Sequence, residues 1–494
     1  MSAPHQDDID DAPQMLDADD ALEEVADGEG DIAMDSDDEQ EEITLHNDSI
    51  AYFDAHKDSV FAIAQHPTLP TLIATGGSEG DGDDAPGKGY VFDTSPVVGR
   101  PVLPPSYNSD PSAQNEQKSF ELKPLFTIDG HSDSINALAF TYPRGEFLVS
   151  AGMDGRLRAY QLSINAHNKP SFAFVAESQE VPEINWVAPC PSDTYPNTVA
   201  LGASDGSVWV YTIDPAGDPA NPLQIVQSYF LHTMSCTAGA WSPDGLLLAT
   251  VSEDMSLQVW DVWGEAAAKG LTNDNGQTVV SLTGEDQRFT VEGGLYSVAI
   301  DPKSSFVAVG GAGGAIKIVG LPRLGGDAQA PVSSKQSKAK AKGAEAGGAQ
   351  GGAILADLHT QSDGIETLSF SPSNPLLAAG SVDGSIAVYD TSRRFAARRH
   401  IKDAHDEFSV VKVEFVRGLG DGWLLTSCGM DGVVRRWDVR GSAAAESSNS
   451  SMVKEWRGHR GDGEGGGVLG FVQGSTGERV VTAGDDGVVL VFEA

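Results

Sequence analysis

The sequence predicts an all-β protein, a closed eight-bladed β-propeller with a disordered acidic N-terminal tail. Three observations carry this expectation. One ten-residue phrase recurs six times, two degenerate copies accompany it, and adjacent copies follow at intervals that suit four short strands with their loops.

The six phrases are AGMDGRLRAY (151–160), GASDGSVWVY (202–211), VSEDMSLQVW (251–260), GSVDGSIAVY (380–389), CGMDGVVRRW (428–437) and AGDDGVVLVF (483–492). Each has Asp at its fourth position (Asp154, Asp205, Asp254, Asp383, Asp431 and Asp486) and an aromatic at its tenth. Asp followed by Gly suits a tight turn, because both tolerate the backbone angles and Asp can bond nearby amides. The alternating run that follows reads as a half-buried strand ending in a large ring that fills space between sheets. Two further strand-like segments precede each phrase, as in SINALAF then EFLVSAG. GGAGGAIKIV (310–319) is a seventh copy, with Gly313 and Val319 at the Asp and aromatic positions, and LIATGG (72–77) leading to GYVFD (89–93) is an eighth. Adjacent clear copies are 51, 49, 48 and 55 residues apart. With Trp260-Asp261, Trp437-Asp438, Gly130-His131 and Gly458-His459, these features form a WD-repeat signature.

Eight sheets closed in a ring have no free edges to aggregate. The last phrase ends near Ala494, after only three strands, so a strand from 43–53 is expected to complete that blade, and the propeller to span 43–494. Residues 95–120 and 325–352 interrupt the rhythm with Pro, Ser and Gly, and read as flexible insertions.

Charge is the most unusual global feature, at −40 over 494 residues. Residues 1–42 hold 18 acidic residues and no Lys or Arg, which leaves −22 for the remainder. Such a tail cannot bury enough apolar surface to order itself. The field of the whole repels phosphate backbones and anionic lipid and favours basic polypeptides. No direct nucleic-acid or membrane partner is therefore expected, and the chain is read as a monomer. Three scattered cysteines (Cys190, Cys236, Cys428) suit a reducing compartment. The start MSAPHQDDIDDA resembles no secretory signal, so the expected location is cytoplasmic, with the nucleus as a second site.

His131, His232, His405 and His459 precede their turn Asp by 23, 22, 26 and 27 residues, a regularity that points to structural bridges inside blades rather than catalysis. No metal-ligand spacing, phosphate loop or nucleophile elbow accompanies them, so neither enzyme activity nor any cofactor is expected. The candidate contacts are carboxylates in the loops of one rim: Glu180, Glu183, Glu366, Glu407, Asp406, Asp133, Asp58 and Glu292, with Glu253, Asp254 and Asp363 beside them. A ring of carboxylates holds Arg and Lys by charge-assisted bonds.

The stretches YFDAHKDSVFAIAQHPTLPTLIATGG (52–77), EVPEINWV (180–187), ALGASDGSVWVYTID (200–214) and VVTAGDDGVVLVFEA (480–494) resemble one family closely. It is that of the eukaryotic WD-repeat ribosome-assembly chaperone dedicated to large-subunit ribosomal protein ten, which includes the angio-associated migratory cell protein. The resemblance implies a chaperone whose acidic face captures the basic N-terminal segment of that newly made protein and delivers it to the pre-60S particle, with Glu180 and Glu183 inside a matching segment. Two other readings fit a basic-peptide binder or a propeller: a chaperone of histones, and a scaffold in signalling or ubiquitin transfer. A phosphopeptide scaffold would need clustered arginines on the rim. The one dense cluster, Arg393, Arg394, Arg398 and Arg399, follows a phrase instead of sitting in a rim loop.

Overall fold

The computed structural model describes residues 47–80, 82, 85–97, 120–165, 169–324, 351–418, 422–441, 451–460 and 466–494. The acidic tail and most of both insertions lie outside them.

The described chain forms eight sheets, antiparallel and in sequence order except at the outer edge of the last. Blade 1 is Ala62–Gln65, Leu72–Ser78, Gly87–Asp93 and Pro124–Ile128, and blade 2 is Ile135–Phe140, Phe147–Gly152, Leu157–Ile164 and Pro170–Ser178. Blades 3 to 7 repeat the pattern, with first strands Ile184–Pro189, Cys236–Trp241, Leu295–Ile300, Ile365–Phe370 and Val410–Phe415. Blade 8 begins Val468–Val472, Arg479–Gly484 and Val489–Glu493. Each first strand packs on the first strand of the next blade, and that of blade 8 returns to blade 1, so the sheets close into an eight-bladed propeller.

Blade 8 takes its outer strand from the other end of the chain. Ala51–Phe53 pairs antiparallel with Val489–Glu493, Ala51 opposite Val491 and Phe53 opposite Val489. Phe120–Glu121, the end of the segment read from sequence as a flexible insertion, adds a short fifth strand parallel to Ala51–Tyr52. Phe53 is buried, stacked on Phe92 at 4.7 Å between ring centres. That contact ties blade 8 to blade 1 across the joint of the ring.

The third-strand residue that ends each phrase holds one blade to the one before. Trp260 is fully buried and stacks on Tyr229 of blade 3 at 4.2 Å. Tyr160 meets Phe126 of blade 1 edge-on, and Phe492 packs on Trp456 of blade 7. In the degenerate seventh copy Val319 does the same in the apolar cluster shared with blade 4. The turns are equally repetitive. Gly155 sits at φ +72°, and a Cβ there would fall 2.0 Å from the carbonyl oxygen of Val181 in the next blade, so both the conformation and the close approach require glycine. In VSEDMS that left-handed place is filled by Met255 at φ 63°.

Truncating Phe53 removes a fully buried ring at the closure. A Phe53→Ala variant should lose about 3–5 kcal/mol of stability, read as a lower denaturation midpoint. A midpoint equal to that of the parent would show that the joint contributes little.

Candidate functional site

Two sets of loops meet on one face of the ring: those leading from a fourth strand into the next first strand, and the turns between second and third strands. Backbone bonds join the two sets. Met153 N–H donates to Ser134 O, Ser204 to Glu183, Glu253 to Ser235, Ala312 to Gly294, Val382 to Gly364, Met430 to Ser409 and Asp485 to Gly467, at 2.9–3.1 Å. In blade 1 the corresponding bond, from Ser78 N–H to Ser59 O, is longer at 3.4 Å.

Charge is distributed unequally between the faces. Among the described residues, the loops of the stitched face carry 22 Asp and Glu, thirteen in the leading loops and nine in the turns, against six Lys and Arg. The loops of the opposite face carry nine acidic and ten basic residues. One face is therefore strongly negative and the other near neutral.

The turn aspartates serve the fold. His405 places Nδ1 2.8 Å from Asp431 and Nε2 2.7 Å from Ser427 Oγ, which also accepts from Trp437 Nε1 at 2.8 Å. His131 bridges Asp154 at 3.1 Å and Ser150 at 2.8 Å, and His459 bridges Asp486 at 3.0 Å and Thr482 at 2.8 Å. His232 departs slightly: its Nδ1 meets Ser256 Oγ at 2.6 Å and stands 3.8 Å from Asp254. Asp205 bonds Ser207, and in blade 6 Gln361 fills the histidine position while Asp383 accepts from Ser362 and Ser385. Burial opposes ionisation of Asp154, Asp254 and Asp431, yet the histidine beside each, joined by amides at Asp154, by the Ser256 hydroxyl and an amide at Asp254 and by the Arg435 guanidinium at Asp431, outweighs it and holds all three below the usual carboxylate range. His56 of blade 1 reaches Thr75 Oγ1 at 2.9 Å and has no aspartate partner among the described residues, and burial pushes its pKa down to about 4.

The sequence-derived candidates fall on the stitched face. Asp58, Asp133, Glu180, Glu183, Glu292, Asp406 and Glu407 occupy leading loops, and Glu366 lies one residue inside the first strand of blade 6. Glu180, Glu183, Glu292, Glu366, Asp406 and Glu407 are exposed, while Asp58 and Asp133 are half-buried. Asp58 and Asp133 also accept from the next residue's amide, Ser59 at 2.8 Å and Ser134 at 2.6 Å, and so shape their loops. Arg393 and Arg394 lie in a third-to-fourth strand loop on the opposite face.

The throat of the channel was not apparent from the sequence. In seven blades a register shift follows the first residue of the first strand, leaving the second residue as a β-bulge. Three bulge residues bond the next blade: Asn136 Nδ2 to Ile184 O at 2.6 Å, Asn185 Nδ2 to Cys236 O at 2.9 Å and Thr237 Oγ1 to Leu295 O at 2.6 Å. These bonds place the position on the channel wall. The same position is Tyr296 in blade 5, Glu366 in blade 6, Val411 in blade 7, Leu469 in blade 8 and Phe61 in blade 1. Phe61 is 43% exposed and Tyr296 38%. Glu366 keeps an exposed surface, but the wall takes part of its solvent, and this partial desolvation, then the neighbouring Asp363, pushes its carboxyl up from the ordinary value. Aligning the first strands by their leading Ile, Val, Leu or Cys would have revealed this ring of positions. Beyond the throat, toward the opposite face, lies a cavity of about 710 Å³ whose wall includes Gln65, Lys412, Glu414 and Gln473.

This is a WD-repeat propeller with one acidic loop face. The WD domain, G-beta repeat model matches residues 122–161, 223–261 and 352–390. The crystal structure of Chaetomium thermophilum Sqt1 is 63% identical, covers 91% of this chain and 98% of its own, and superposes with a TM-score of 0.78. A second Chaetomium thermophilum structure, Sqt1 bound to the N-terminus of the ribosomal protein L10, is 62% identical over 91% of this chain and all of that one, with the same TM-score. The ribosome assembly protein SQT1 of Saccharomyces cerevisiae is 27% identical over 94% of this chain and 90% of the relative, and the human angio-associated migratory cell protein is 24% identical over 90% and 80%. The chain belongs to the Sqt1 family of WD-repeat ribosome assembly proteins.

Asp383 gives a pH test of the turn networks. Burial alone would raise its pKa, but the bonds from Ser362 and Ser385 prevail and hold it at about 2. The folded state thus binds this proton less readily than the unfolded chain. The stabilisation is present above the unfolded value near 4 and is lost as pH falls from about 4 to about 2. After solvent screening it amounts to on the order of 1 kcal/mol. Asp383→Asn should be less stable at neutral pH and show a shallower loss of stability over that interval. An acid profile parallel to that of the parent would contradict the assignment.

Proposed function

We propose that this chain is a dedicated chaperone in the cytoplasm, binding the basic N-terminal segment of newly made ribosomal protein L10 on its acidic loop face and delivering it to the pre-60S particle. The observation that carries the reading is the charge difference between the faces among the described residues, 22 acidic against six basic loop residues on one and near balance on the other. A basic segment free in the cell is open to RNA and to aggregation. A carboxylate-lined face satisfies its charges while repelling phosphate. The relative solved with the L10 N-terminus supports the same partner. Glu180, Glu183, Glu366, Asp406, Glu407, Asp133, Asp58 and Glu292 are the proposed contacts, with the exposed six carrying more of the binding than Asp58 and Asp133, whose carboxylates are engaged in their loops. A phosphopeptide reader is disfavoured on this face, because Arg393 and Arg394 lie on the other one.

Binding should be strongly salt-dependent. Raising salt tenfold should weaken the affinity for a synthetic L10 N-terminal segment by at least about tenfold, as measured by calorimetry. Glu180→Lys with Glu183→Lys should weaken it further without lowering the denaturation midpoint. An affinity indifferent to salt, or unchanged in the double variant, would remove the carboxylates of that loop from the mechanism.

A further inference from the structure

The throat is chemically asymmetric. In blades 2, 3 and 4 the bulge side chains are committed to the neighbouring blade's backbone, at 2.6–2.9 Å. Along the continuous arc from blade 5 to blade 1 the same position carries Tyr296, Glu366, Val411, Leu469 and Phe61. Glu366 has no cation and no hydrogen-bond donor as partner among the described residues, although its surroundings already raise the cost of its charge. On the adjoining first strand, which Ser297 Oγ joins by donating to Ile365 O at 2.7 Å, the large ring of Tyr296 remains open to solvent, where burial in a neighbouring sheet would be the ordinary fate of an aromatic. An unpaired carboxylate beside an open aromatic face is an unfinished site. What completes it must bring a positive charge, a flat surface that lies against a ring, and a long apolar stem that reaches past the rim.

We infer that the open arc of the throat, with Glu366 as counter-ion and Tyr296 on the adjoining first strand as stacking wall, takes a single arginine side chain of the bound segment. This rests on the reading of the acidic face as a basic-segment site and adds a distinction that charge alone does not make. Arginine presents a planar guanidinium that stacks on rings and pairs a carboxylate through two parallel donors, whereas lysine is a strongly hydrated point charge. The rim carboxylates attract either residue, and the throat selects arginine.

The test uses the full chain with two sets of probes, followed by fluorescence anisotropy. The L10 N-terminal segment, with its arginines replaced by lysine one at a time, should contain one position where the replacement weakens binding about tenfold and others where it costs under about threefold. That one penalty should vanish in Glu366→Gln and shrink in Tyr296→Leu, with unchanged denaturation midpoints. The second set, a deca-arginine and a deca-lysine peptide of equal charge, asks the same question without L10. Preference for arginine that disappears in Glu366→Gln supports the throat site even if the L10 segment fails to bind, a result that would overturn only the proposed partner. Salt-sensitive binding of the L10 segment with equal penalties at every arginine, or with penalties untouched by Glu366→Gln and Tyr296→Leu, overturns the throat site and leaves the acidic face in place.

Discussion

The bond on which the rest depends is a plain backbone one, repeated around the ring: the residue after each second strand donates to the carbonyl just before the same blade's first strand. It fuses loops of distant sequence into one surface. That surface needs fusing, because among the described residues its 22 carboxylates with six cations repel one another. Free loops would splay, and their charges would spread into solvent. Held by amides, by His405-Asp431 and its counterparts, and by glycines such as Gly155 that bring turn and neighbouring loop together, the charges are kept at a density that favours a polycation.

The same architecture separates stability from recognition. The turn aspartates spend their ionisation on histidines and amides inside the blade, so they are poor contacts for anything outside it. The loop carboxylates without internal partners are the ones left to act. The bulges make a similar division along the channel wall. On one arc they staple blade to blade, and on the other they present Tyr296, Glu366 and Phe61 to the throat. A register shift that re-aims one side chain per blade is a small structural device with a large consequence for what the channel can hold.

Most of the fold was legible because a propeller is written eight times. The small-residue turn followed by an alternating strand survives degeneration, so even GGAGGAIKIV, where Gly313 and Val319 replace both landmarks, could be placed by its pattern. The short strand at Phe120 was not legible, since two residues pairing at an edge leave no periodic trace. The site was legible only by charge. Acidic residues in rim loops can be counted from sequence, but Asp58, turned in to its own loop, looks the same there as exposed Glu183. The bulge position was hidden for a different reason: it breaks the two-residue alternation, so Phe61 and Tyr296 read as ordinary strand residues until the pairing register is known.

The central claim is that the stitched acidic face, and not the near-neutral one, holds the partner. Hydrogen exchange of the full chain with and without the L10 N-terminal segment tests it directly. The account predicts slowed exchange in residues 54–61, 179–184 and 360–367, with 66–71, 371–375 and 391–395 unaffected. Protection confined to the latter three segments would contradict it.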